Sequence, residues 1–495
     1  MGGRVRTGRL MAIARAARPW LALSLDAKVV GAVATLNWVL LFDRHRVVQI
    51  TADAPLWQLF PGLWGAAWLL ACGLLAVSYP IRDHALGERF LTRDRVMHLA
   101  GIVFVFVIVP AIAMIVLRAT GKPYTFVHDG AIMIEEAARK LLLGMDPYVA
   151  DYLDTPLFYW PMINNPALYH LTYFPLPFLL TLPFVAVFDR VGMFWDERLL
   201  YVPAYLASLA VLPALIPPGP RAAARRLALV ALVGLNPQLF PFVAEGKNDA
   251  FVLFFIFTGL ALLQREHRTL GTLAITVAAA SKLHAGVLLP FVAVYLLRRD
   301  GVHSVGGAAR ALWRYGWPSA VLLLATFGPF LANDLRAFYD DVVAYNAGGA
   351  AWSYPISGMG FAAILLGLGV IQYAQQDFPF WILQAAASVP LAIVALRALW
   401  VRPTLPTLLG GYAVTLLGFL FFARYFHGNY LGFITAVASP ALFLVPLRIQ
   451  LGRLRAPEPA FAPAPAAALG ARALVAETGV LDAGTAGPEA SLPGD

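Results

Sequence analysis

Residues 99–117 run for 19 positions without one charged or amide side chain. Only an α-helix carries such a run through a bilayer, because its backbone groups satisfy one another. Similar runs occupy 29–42, 56–79, 199–218, 227–244, 250–264, 268–282, 284–298, 312–332, 379–400, 404–422 and 428–447. The pattern predicts an all-α polytopic membrane protein with about 12 transmembrane helices. Composition agrees: 60% of the 495 residues are hydrophobic and 13% are charged, against about 25% charged in soluble domains. A soluble enzyme is excluded. A disulfide scaffold is excluded too, since Cys72 is the single cysteine.

The net charge of +9 reads as topology and not as a nucleic-acid footprint. Arginines cluster at 4–18, 82–95, 221–226, 265–268, 298–299 and 448–455, and short basic loops stay cytoplasmic. The basic N-terminus reads as retained and cytoplasmic, since Asp26 and Lys28 interrupt a signal-like pattern. Run 174–189 has 16 residues and contains Pro175, Pro177 and Pro183. Run 357–373 is short and rich in glycine. Keeping the basic clusters inside requires that neither crosses. Four regions follow: a cytoplasmic N-terminus and hairpin (1–98), a core with a large extracytoplasmic loop at 118–196 (99–332), a second extracytoplasmic loop with the last spans (333–447), and a disordered Ala/Pro/Gly-rich cytoplasmic tail (448–495).

This topology gathers a second polar set at the outer ends of the spans. It comprises His128-Asp129, Glu245-Gly246-Lys247-Asn248-Asp249, Lys282 with His284, and Arg424 with His427 and Asn429. Ionisable residues at membrane depth are costly and mark function, although each alone also reads as a solvated loop end. Lys247, Lys282, His284, Arg424 and His427 together suit an anionic headgroup such as a lipid phosphate. Asp340-Asp341 read as solvated.

The stretch 119–190 is the most specific. Glu135 to Tyr148 reads Glu-Glu-Ala-Ala-Arg-Lys-Leu-Leu-Leu-Gly-Met-Asp-Pro-Tyr, and Tyr173 to Pro177 reads Tyr-Phe-Pro-Leu-Pro. Its middle is amphipathic and stops at Gly144, which predicts a helix lying on the membrane surface. An acidic residue after an outward span, then this helix, then Tyr-x-Pro-Leu-Pro, resembles the GT-C superfamily of membrane glycosyltransferases. The resemblance is to glycosyltransferase family 87, which includes polyprenol-phosphate-mannose-dependent mannosyltransferases. It continues through Gly246-Lys247-Asn248 and Ser281-Lys282-Leu283-His284 and covers about residues 99–300.

The resemblance implies a GT-C-like bundle with extracytoplasmic juxtamembrane helices in the cell's inner (plasma) membrane. It implies inverting transfer of a sugar, with mannose first among candidates, from a polyprenyl-phosphate donor to a hydroxyl of a glycolipid or glycan. The leaving phosphate needs cations and no general acid, and the acceptor needs one base. Asp129 is the chosen base, with an Asp-Gly turn as the structural alternative. Glu135, Asp146 and Asp249 are next in line. Asp146 also reads as an Asp-Pro turn and Asp249 as a helix cap. Lys247, Lys282, His284, Arg424 and His427 would hold the phosphate. His128, Tyr148, Tyr152, Trp160, Tyr173, Asn248 and Asp249 would line the substrate site, although interfacial belts also collect such aromatics. No cofactor is expected, and no metal, because the loop near Asp129 has no Asp-x-Asp pair. The partners expected are the donor, the acceptor and membrane lipids, with no nucleic acid. A transporter, flippase or ligase of lipid-linked saccharides remains the alternative, disfavoured by the absence of an internal repeat and by a late loop whose only arginine is Arg336.

Overall fold

A computed structural model describes residues 20–41, 63–162 and 165–444. Met1–Pro446 forms one compact unit, and the second, Leu447–Asp495, lies outside the described residues. The expected disordered tail, the basic start at 4–18 and the loop at 43–55 lie outside them as well.

The molecule is mostly helical. Among the described residues, four helices meet the length and hydropathy needed to cross a membrane: Thr92–Thr120, Arg198–Leu215, Val305–Asn333 and Phe380–Val401. Leu63–Leu86 is a further continuous helix of 24 residues; the remaining expected spans are shorter or interrupted, so the expected count of 12 does not follow from helix length. The expected span 227–244 breaks into Ala222–Gly234 and Phe240–Glu245. Asn236-Pro237 interrupts it, where Pro237 offers no amide hydrogen. The Asn236 amide bonds instead to the Gly432 carbonyl at 3.1 Å and to Thr435 Oγ1 at 2.8 Å. The expected 284–298 span divides into Leu283–Gly286 and Leu288–Arg299, and the extended Lys282, at φ −158° and ψ 130°, separates them from the helix Arg268–Ser281. The Gly-rich 357–373 run holds only the helix Phe361–Gly367, about 10 Å long and too short to span.

Asp26, Asp83 and Arg95 join the first three described helices, Leu25–Leu40, Leu63–Leu86 and Thr92–Thr120. Arg95 reaches Asp26 at 2.8 Å and also pairs with Asp83. Tyr79 donates to Asp26 at 2.7 Å. These charges are buried, and such groups persist only when paired.

Helix α1, Asp129–Leu142, is the amphipathic helix expected on the membrane surface, and an amphipathic helix would leave one face free of protein. It is instead covered by protein on every side over 129–138. The reason is its acidic residues. The Arg118 guanidinium grips Glu135 through both nitrogens, at 2.8 and 2.7 Å, and reaches Asp196 at 2.9 Å. Glu135 also accepts from the Glu197 amide at 2.9 Å. Arg198 donates twice to Asp196, at 2.8 and 2.7 Å. Asp129 in the first turn and Arg139 and Lys140 in the last complement the helix dipole.

Among the described residues two short strands depart from the helical pattern. Strand β1, Ser357–Gly358, pairs in parallel with β2, Tyr425–Phe426, in the register Ser357 to Tyr425 and Gly358 to Phe426. Arg424 is 1% exposed and braces this pair. Its guanidinium donates to the carbonyls of Tyr354, Gln376 and Ala374.

Candidate active site

Four separated segments meet at the start of α1. His128 takes the N-cap position of the helix. Asp129 Oδ1 lies 2.6 Å from His128 Nδ1 and accepts from the Gly130 amide at 2.7 Å. Among the described contacts Oδ2 makes no hydrogen bond. Burial works against both charges. His128 and Lys247 nevertheless hold the Asp129 carboxyl below the usual carboxylate range. Burial and the two lysines Lys247 and Lys282 hold His128 below its ordinary value, against the pull of Asp129. The Tyr173 hydroxyl lies so close over Gly130 that a Cβ there would overlap it.

The second segment is the turn 245–249. Gly246 ends the helix Phe240–Glu245 at φ +88°, a conformation that costs glycine nothing. A Cβ there would press on Arg198 Cγ at 3.2 Å. The turn docks on α1 through the His128 amide, which donates to the Glu245 carbonyl at 2.9 Å. It carries Lys247, half-buried, whose ammonium sits 4.4 Å over the Phe242 ring and 3.5 Å from Asn429 Oδ1.

The third and fourth segments supply the partners of Asp249. Lys282 donates to Asp249 Oδ1 at 2.7 Å, and Asn429 to Oδ2 at 2.9 Å. Asp249 therefore faces across the bundle and does not cap its own helix. His284 Nε2 stands 4.0 Å from Asp249, and its ring packs 4.4 Å from that of Phe433. Asn248, 3% exposed, leaves Nδ2 without a partner. His427 Nε2 is 3.3 Å from Ser357 Oγ, on the wall formed by β1 and β2.

Residues 139–298 match the family model described as the alpha-(1->6)-mannopyranosyltransferase N-terminal domain, of the MptA/B family. The match supports a mannosyltransferase of GT-C type. It spans 160 of the 495 residues. Lys247, Asn248, Asp249, Lys282 and His284 fall inside it, while Asp129 precedes it and Arg424 and His427 follow it. No curated protein matches the chain.

Several expected residues sit away from this cluster. Tyr148 and Tyr152 are 4% and 0% exposed, and their hydroxyls donate to the carbonyls of Tyr173 and Pro147. They fill the core beneath the site. Trp160 donates to the Val127 carbonyl at 3.0 Å with its ring 6.1 Å from His128, at the edge of the cluster. Arg424 points its guanidinium at backbone carbonyls. Asp146 forms a turn, accepting from Tyr148 and from Asn333. Asp341, expected in solvent, is 3% exposed. Its carboxylate accepts from the Leu171 amide at 2.8 Å and meets His170 at 2.6 Å, because the second loop folds onto the first. Tyr354 and Tyr425, which no local motif singles out, stand beside His427. The density of tyrosine at 345, 354, 425 and 430 is the signal that marks them.

Proposed function

We propose that this protein is an inverting mannosyltransferase that takes its sugar from a polyprenyl-phosphate donor. One observation carries the reading. A carboxylate with a free oxygen, Asp129, lies within electrostatic range of Lys247, which in turn lies within range of Asp249 and Lys282, so that three separate segments, 128–130, 245–249 and 282–284, meet there. In the proposed step the acceptor oxygen attacks C1 of the donor mannose. Its proton passes to Asp129 Oδ2 as the C1–O bond to phosphate breaks. The electron pair leaves with the polyprenyl phosphate, whose charge is met by Lys247 and Lys282, with His284 and His427 flanking. His128 holds Asp129 through Oδ1. An α-linkage made with inversion requires a β-linked donor. The donor's lipid would lie in the bilayer and the acceptor, a glycolipid or glycan, would reach the site from the extracytoplasmic side of the cell's inner membrane.

The test is turnover by the purified full chain in detergent, with polyprenyl-phosphate mannose and an α-mannoside acceptor. Transfer that is lost in Asp129→Asn supports the reading. Failure of the wild-type chain to consume any of a panel of polyprenyl-phosphate sugars would end it.

A further inference from the structure

The wall opposite Asp129 has a chemistry of its own. Alternation along β2 puts Tyr425 and His427 on one face and Phe426 on the other. Phe426 is 3% exposed, whereas Tyr425 and His427 are half-buried. Register places Ser357 across from Tyr425. Tyr354, also half-buried, packs 4.8 Å from the Tyr425 ring and 6.3 Å from His427. The Tyr425 hydroxyl donates to Asn346, which also donates to Thr172 Oγ1 at 2.9 Å. The ring is thereby fixed before any ligand arrives. From the other side of the site comes the half-buried Tyr173, whose hydroxyl lies over Gly130. Tyr173, Tyr354 and Tyr425 all lie within electrostatic range of the Asp129 carboxylate or of one another.

This wall offers no free strong cation. Its arginine, Arg424, is held by three carbonyls, while Lys282 is paired with Asp249 and meets the wall only at the Tyr430 ring, at 5.8 Å, and Lys247 sits beside Asn429. A phosphate would find its two lysines there, with His427 alone of this wall beside it. Half-buried tyrosine rings instead suit the C–H face of a pyranose, whose weakly positive hydrogens meet the negative face of the ring. The phenol and Ser357 hydroxyls suit its polar rim.

We propose that Tyr354 and Tyr425, with Ser357 between them and Tyr173 opposite, form the subsite for a neutral hexose of the acceptor, delivering its hydroxyl to Asp129. This rests on the reading of the site as a mannosyltransferase. Rotamer-poor rings fixed in advance lower the ordering cost of binding, so the wall sets acceptor affinity and leaves the donor alone.

The test uses the full chain in detergent with α-(1→6)-linked mannobiose as the probe, the linkage named by the matched family. Saturation-transfer NMR reads its binding without turnover, and steady-state kinetics with polyprenyl-phosphate mannose reads both substrates. Tyr354→Ala should abolish the saturation-transfer signal and raise the acceptor KM at least tenfold, with the donor KM unchanged. Tyr354→Phe keeps the ring and should retain most of the binding, which separates a lost stacking face from a fold defect. A raised donor KM with an unchanged acceptor KM would place the wall on the donor and overturn the proposal. Mannobiose binding that survives Tyr354→Ala would overturn it too. If the wild-type chain binds mannobiose through Tyr354 but transfers nothing, the mannosyltransferase reading fails while the sugar subsite stands.

Discussion

At the scale of single residues, Asp129 and Lys247 differ from their neighbours in having capacity to spare. Asp129 keeps one oxygen unbonded among the described contacts, whereas Glu135 is gripped by Arg118 and Asp249 by Lys282 and Asn429. Asp129→Asn preserves shape and removes basicity. Its kcat should fall by about 10²–10⁴ with the donor KM retained, measured on the purified variant; near-normal kcat would move the base elsewhere. A carboxyl held below its usual range is ionised throughout the neutral region, and its contribution is lost only as pH falls through that lowered value. The profile of kcat should therefore show no acidic limb between about pH 5 and 7. A limb with an apparent value near 6 would assign proton transfer to another group. Lys247→Ala should raise the donor KM roughly tenfold or more, since a hydrogen bond to a charged group contributes about 1.5–3 kcal/mol. Lys282→Ala should in addition lower thermal stability, because it leaves Asp249 buried beside one partner fewer.

At the scale of elements, two devices hold the site in place. The first is the Arg118–Glu135–Asp196 network under α1. Breaking one member of a buried ion pair costs about 3–5 kcal/mol, so Glu135→Gln should lower the melting temperature and free α1 for proteolysis. An unchanged melting curve would show that packing alone seats the helix. The second is the tie between the segment 165–173 and the later loop, made by His170 and Asp341. Burial disfavours the His170 charge, but Asp341 and the Ala351 carbonyl outweigh it and raise its value. Burial pushes Asp341 up to about 6. Both groups thus bind protons more tightly folded than unfolded, and the stability they contribute is lost as pH rises through their raised values. Limited proteolysis of the 335–356 segment should speed up from about pH 6 to pH 8, and His170→Gln should flatten that dependence. Equal cleavage rates across the range would sink it.

At the scale of the whole molecule, the arginine clusters argue that residue 221 faces the cytoplasm. Cys72 is the single cysteine and is fully buried, so Arg221→Cys introduces one reactive thiol on a silent background. An impermeant thiol reagent applied from outside should leave it unlabelled; strong labelling would overturn the topology. The apolar runs made the helical, membrane-spanning class legible, because hydrophobic length is a property of the chain itself. The same holds for the Gly246-Lys247-Asn248 turn and for the helix from Asp129 to a stop before Gly144, whose capping and turn residues are local signals. Tertiary structure alone decided the rest. It buried α1, because Arg118 and Asp196 lie 17 and 61 residues away from Glu135 on other elements. It turned Arg424 from a candidate anion ligand into a backbone brace, since carbonyls of a distant loop came within reach first. It sank Tyr148 and Tyr152 into the core and raised Tyr354 and Tyr425 to the wall, because which face of a tyrosine stays open depends on what folds over it. Local sequence determines whether a segment becomes helix or turn. Partners distant in sequence determine which charges are neutralised and which remain for chemistry.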